Sequence, residues 1–200
     1  RPHEPCQAFF SAHRPLREAA RRELLAAGDS GREFLRRQFT HPDPRVRAAA
    51  LTVLLDGTDC TIDLNGVAEK DPQTAIRAMA VHALAAQGND VSRFTDAKHP
   101  AAVRTEAVAS LKDSQLLLTL LSDKDPYLRH AAVRRLAHLP ELLDTIDCES
   151  LADAQQRIGL LLAHRENGRP EGVRRVPSLL ADPDEDVRFL AVKWIADHKL

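Results

Sequence analysis

The chain has 200 residues, is 44% hydrophobic with 4% aromatic content, and carries a formal charge of −1. That balance gives no global field for nucleic acid or an anionic membrane, and no apolar run approaches the ~20 residues a membrane span requires. Cys6, Cys60 and Cys148 are odd in number and form no C-x-x-C pair, which argues against a disulfide framework and a four-cysteine zinc site.

In chain order, residues 1–12 (RPHEPCQAFFSA) hold two prolines and read as an irregular lead-in or end cap, with Phe9 and Phe10 suited to covering the end of an array. From residue 13 one skeleton recurs: aliphatic-Arg-x-x-Ala-aliphatic-x-x-Leu. It is clearest at Val46-Arg47, Ile76-Arg77, Val103-Arg104, Leu128-Arg129 and Val187-Arg188, looser at Leu16-Arg17, and degenerate at Arg157-Ile158. The seven arginines are separated by 30, 30, 27, 25, 28 and 31 residues, a near-constant period that marks stacked supersecondary units. Proline precedes the arginine in six units, directly after aspartate in Asp43-Pro44, Asp71-Pro72, Asp125-Pro126 and Asp182-Pro183. This predicts an N-cap carboxylate followed by proline in the first turn, where the missing N–H costs nothing. Gly28, Gly57, Gly88 and Gly168 fall ten or eleven residues after the arginine and suit the left-handed position that ends a helix.

After each stop comes a second apolar-periodic run, such as Phe34-Leu35 to Phe39, Leu116 to Leu121, or Val173 to Leu180, so each repeat is expected to be two antiparallel helices. No strand signal competes. The last unit has only a first helix, Asp186 to about Lys199. The chain starts at Arg1 and ends within a helical pattern, so residues 13–200 read as one array, cut from a longer protein with its last repeat truncated.

With Val103 at zero and ~100° per residue, Ala107 lands near ~40°, Leu111 near ~80°, Val108 near ~140° and Arg104 near ~100°. The arginine lies inside the apolar arc. A buried guanidinium needs an answering charge, and the recurrent aspartate at a helix start, in the same unit or the next, is the expected partner. The rival assignment, a row of arginines for phosphate, fits neither the net charge nor that angle.

The skeleton D-P-x-x-[VIL]-R-x-x-A-[VL]-x-x-L resembles HEAT repeats, and closely the short bacterial HEAT-like repeats of the phycobilisome-lyase type. The resemblance implies an all-α fold: an α-solenoid, a right-handed superhelix of about six to seven antiparallel helix pairs whose second helices line the concave face. It implies mostly non-enzymatic scaffolds, binding a protein partner or spacing domains; from the charge balance no nucleic-acid partner is expected, and the chain is expected to be a monomer. Other members of the class are bilin lyases, DNA alkylation glycosylases and modules beside haem or dehydrogenase domains. No residue here identifies a tetrapyrrole site, and Trp194 and Tyr127 are thin support for a damaged-base pocket.

Nine histidines are scattered, none in H-E-x-x-H or zinc spacing. The single His3-Glu4 dyad argues against a di-iron hydroxylase, which uses several. His41 and His99 precede prolines, as loop caps do. No catalytic residue, metal ligand or cofactor site is expected. Arg32, Arg36 and Arg37 belong to residues 1–40, whose local charge is +3 against −4 for the remainder; the stretch reads as a solvated face, with an anionic partner at that end as the rival. The stretch Arg165–Gly172 is the longest turn within a repeat, in the place of a recognition loop or a tolerated insertion. Cys60 and Cys148, both placed near the start of a second helix three repeats apart, would sit ~30 Å from each other if stacked layers are ~10 Å thick, too far for a disulfide.

Overall fold

The computed structural model describes residues 3–56 and 62–198. Gly57, Cys60 and the side chains of the His3-Glu4 dyad lie outside that description. Among the described residues the fold is all-α: thirteen α-helices, two short 3-10 helices and no strand. The chain divides into two compact units, residues 1–88 and 89–200.

The first unit holds α1 (His3–Ala8), α2 (Arg14–Ala26), α3 (Asp29–Arg37), α4 (Pro44–Leu55), α5 (Leu64–Lys70) and α6 (Thr74–Ala86). Residues 3–8 are therefore helical where an irregular lead-in was expected, because Pro5 falls in the first turn, where it removes no helical hydrogen bond. α1 packs on α2. Phe9 follows it into the core and meets Phe10 and Phe34 edge-on at 5.4 and 6.0 Å, the arrangement aromatic quadrupoles favour. Phe10 stays 47% exposed. Skeleton helices α2, α4 and α6 carry Arg17, Arg47 and Arg77; the core includes Leu24, Leu35, Ala50 and Leu54.

The second unit opens with a 3-10 turn, Ser92–Thr95, followed by α7 (Ala101–Val108), α8 (Ser114–Leu121), α9 (Pro126–Ala137), α10 (Pro140–Thr145), α11 (Ala154–Asn167), α12 (Pro170–Leu179) and α13 (Glu185–His198). Skeleton helices α7, α9, α11 and α13 pack successively on one another, and α8, α10 and α12 pack against them. One core runs through the unit, from Val108 and Leu117 past Leu136 and Leu160 to Val187 and Trp194.

Two expectations need correction here. The third repeat has no second α-helix. Only the 3-10 turn stands there, because Asp90 engages the Ser92 amide and hydroxyl at 2.8 and 3.1 Å and the chain must reach Pro100 soon after. Val91 and Phe94 still bury their side chains, so apolar cover is kept without helix length. The stretch Arg165–Gly172 is not a loop. α11 continues through Asn167, Gly168 takes the left-handed φ of 72° that ends it, and Pro170 opens α12. The turn is two residues long, tied by Asn167 donating to the Ala137 carbonyl at 2.7 Å and Arg169 to Asp144 at 2.9 Å.

The glycine stops are also not uniform. Gly88 and Gly168 have positive φ. Gly28 has φ 60° but ψ −129°, outside the left-handed helical well, and stands at the N-cap position of α3.

Candidate functional site

None of the seven skeleton arginines is exposed. Arg47 and Arg157 are only 6% and 7% accessible, as the helical angle demanded. In five repeats one guanidinium nitrogen donates to the backbone carbonyls six and five residues upstream. These are Ser11 and Ala12 for Arg17, His41 and Pro42 for Arg47, Asp123 and Lys124 for Arg129, Leu151 and Ala152 for Arg157, and Asp182 and Pro183 for Arg188. The arginine thus fastens the loop that leads into its own helix. In Arg77 and Arg104 the Nε donates instead nine residues back, to Ala68 and Thr95.

Among the described residues an aspartate partner is seen at three junctions, each time the next repeat's. Arg47 grips Asp71 with two bonds of 2.9 and 3.0 Å, Arg157 grips Asp182 with 2.8 and 3.0 Å, and Arg104 pairs with Asp123. Each of these aspartates lies six residues before the following skeleton arginine. At the other junctions that position is His41, Lys98 or Leu151, none an anion. The pairing is therefore a matter of one register position, a signal present in the sequence but not in the Asp-Pro dipeptides.

Those dipeptides divide accordingly. Where proline stands three residues before the arginine, Asp43 and Asp125 are true N-caps, accepting from Arg45 and Tyr127 amides at 2.9 and 2.8 Å. Where it stands five before, Asp71 and Asp182 accept from Gln73 and Asp184 amides, both at 2.8 Å, two residues too early to cap, and Asp184 caps α13 instead. The side-chain bond to Arg45, then its backbone amide, hold the Asp43 carboxyl near 2. Burial acts against ionisation of Asp182, but Arg157 and the Asp184 amide outweigh it and keep its pKa below the usual carboxylate value; Asp182 in turn raises that of Arg157.

The remaining candidates fall into place as structural groups. Arg32 pairs with Asp29 at 2.7 Å, and Arg37 and Arg36 share Glu33 at 3.1 and 3.8 Å, so two carboxylates of the same helix answer the three arginines. His41 caps its loop, its Nδ1 accepting from the Asp43 amide at 3.0 Å. His99 packs its ring on Phe94. Cys148 lies not at the start of a second helix but in the loop between α10 and α11, where its thiol reaches the Arg157 carbonyl at 3.9 Å and burial raises its pKa to about 11. Trp194 is 2% accessible and belongs to the core. Tyr127 is in the first turn of α9, 76% exposed. Among the described residues no group of three or more His, Cys, Asp or Glu converges as a metal-ligand set, and no helix is long and apolar enough to cross a membrane.

What the repeat does not use lies on the solvent side of the skeleton helices. Two grooves open there in the second unit, of about 590 and 500 Å³, within the size range of ligand sites. The first has Leu121, Val133, Ile158 and Leu162 in its floor and Arg129, His130, Gln155, Arg165, Glu166 and His198 around it. The second, between α7 and α9, gathers Thr105, Tyr127, Arg134, Arg135 and His138 beside the same His130. The residue after each skeleton arginine (Thr105, His130, Ile158, Phe189) marks this face from helix to helix. The resemblance implies a groove on the second helices. Here only Leu121 comes from one, since the skeleton helices pack in direct succession and leave their outer furrows open.

Charge on this face is unevenly answered. Arg134 meets Glu166 at 3.4 Å and Arg165 pairs with Asp197. Arg135 donates to the Leu111 and Ser110 carbonyls at 2.6 and 3.4 Å, and burial lowers its pKa.

No protein-family model matches the chain, and no match is found among curated proteins. Solved structures do match. The crystal structure of YibA from Escherichia coli superposes over 100% of this chain and 83% of its own, with a TM-score of 0.56 at 16% sequence identity. At that identity the likeness concerns fold alone, and it agrees with the all-α architecture.

Proposed function

We propose that this chain is a HEAT-like solenoid segment acting as a non-enzymatic scaffold, which holds a protein partner on the outer face of skeleton helices α9, α11 and α13. One observation carries this reading. The recurring arginines are tied within the stack, each buried or half-buried on carbonyls or aspartates, whereas the grooved face is lined, Arg129 apart, mostly by residues that differ between repeats. A repeat array that fixes its frame with invariant contacts and varies its surface is suited to recognition.

A second reading, a module that handles a small molecule, draws on the meeting of Tyr127, His130 and His138 in one groove. All three are exposed, and the His138 Nδ1 is already engaged with the Arg134 carbonyl at 2.7 Å. Catalytic electrostatics depend on a water-excluded site, which exposed side chains do not supply.

A photo-crosslinking amino acid at Ile158, compared with one at exposed Arg174 on α12, separates the readings. The scaffold predicts polypeptide adducts from position 158 and not from 174. Equal labelling from both positions overturns it, and an adduct of small-molecule mass at 158 supports the second reading.

A further inference from the structure

The partner's chemistry can be narrowed further. His130 lines both grooves, so they form one continuous furrow on either side of α9. Its lining holds four arginines, Arg129, Arg134, Arg135 and Arg165, against one carboxylate, Glu166, on a chain whose formal charge is −1. Arg134 and Arg165 have carboxylate partners. Arg129 and Arg135 bond to backbone carbonyls, which orient a guanidinium without cancelling its charge. These two cations lie on one helix six residues apart, about 9 Å of rise. Arg129 lines the groove on the α11 side, which holds the apolar floor of Leu121, Ile158 and Leu162, and Arg135 lines the groove on the α7 side, beside Ala109 and Ala131.

We propose that this furrow binds an acidic peptide segment whose carboxylates answer Arg129 and Arg135 and whose aliphatic side chains enter the floor between α9 and α11. The charge pairing sets specificity and encounter rate, and the apolar floor supplies burial. This rests on the scaffold reading and adds the partner's class to it.

The test uses the whole 200-residue chain and a fluorescein-labelled peptide with Glu-Leu-Ser-Glu-Leu-Asp at its centre, followed by fluorescence anisotropy. Binding is expected, weakening as salt rises and about tenfold in His130→Glu, which places a carboxylate on the rim shared by both grooves at a cost near 1.4 kcal/mol. Arg174→Glu is expected to bind as the native chain does. His130 is exposed, so its replacement leaves the core intact, and circular dichroism checks this. Peptides with lysine for the acids, or serine for the leucines, are expected not to bind. Equal binding of the lysine peptide, an unchanged His130→Glu, or displacement of the acidic peptide by a single-stranded oligonucleotide overturns the proposal. If the acidic peptide fails while polypeptide adducts at Ile158 persist, the partner class is wrong and the scaffold stands; if both fail, the scaffold reading fails too.

Discussion

At the scale of single residues, the arginine inside the apolar arc does two tasks through different atoms. One nitrogen ties the preceding loop by its carbonyls, and where the next repeat offers an aspartate the other edge of the fork crosses to it. This suits arginine and not lysine, because a planar fork reaches two acceptors in fixed directions. Removing one partner of a buried pair strands the other, at a typical cost of about 3 kcal/mol. Arg157→Leu is therefore expected to lower unfolding free energy by about that amount, read as a fall in the urea midpoint. Adding Asp182→Leu should recover part of it, since no charge is then left unpaired. A single variant milder than the double would contradict this account.

His164 carries a second residue-scale consequence. It is 4% accessible, its Nε2 has no hydrogen-bond partner, and burial followed by the nearby Arg175 charge lowers its pKa to about 4. Both states are neutral above the ordinary value of 6.5. Between 6.5 and 4 the unfolded chain takes up a proton that the folded chain refuses, so stability decreases as the pH is lowered through that window and levels off below it. His164→Leu is expected to flatten this part of a stability–pH curve measured by chemical denaturation; an unchanged slope would assign the acid sensitivity to other groups.

At the scale of elements, the distance between punctuation marks matters more than their presence. Two residues more or fewer between proline and arginine turn the preceding aspartate from a helix cap into an inter-repeat ligand, because the first turn of a helix exposes its amides over only three or four positions. The close pairing of α2 and α3 makes a related point. A Cβ on Gly31 would lie 1.9 Å from the backbone carbonyl oxygen of Leu24, which cannot swing aside as a side chain does. Gly31→Ala is expected to destabilise the chain by about 2 kcal/mol, despite alanine's better helix propensity, visible as a lower thermal midpoint. A neutral or stabilising result would mean that α3 shifts freely on α2.

At the scale of the whole chain, the contacts that fix the frame are local and repeated, each joining neighbouring repeats through its own partners. Arg47–Asp71 and Arg157–Asp182 share no residue. Substitutions that break them are expected to add within about 0.5 kcal/mol, so Arg47→Leu combined with Arg157→Leu should cost the sum of the singles in urea unfolding. A marked departure would show coupling that the contacts do not display. The same locality leaves the outer face of the skeleton helices free to vary, and there the furrow beside α9 has arisen.

The sequence by itself determined the all-α class, the seven skeleton helices and the burial of their arginines. Each depends on a periodicity of 3.6 residues or on short-range turn chemistry, both written in neighbouring letters. Even the degenerate Arg157 repeat was in register, and it holds one of the two most deeply buried ion pairs. Tertiary structure alone decided that the third repeat keeps a single 3-10 turn where a second helix is expected, and that residues 165–172 close into a two-residue turn. It also decided that Thr105, His130, Ile158 and Phe189, distant in sequence, mark one face. Those outcomes depend on how far one helix lies from the next. That distance is set by side-chain volumes meeting across repeats, such as Leu121 against Gly159, which no local pattern encodes.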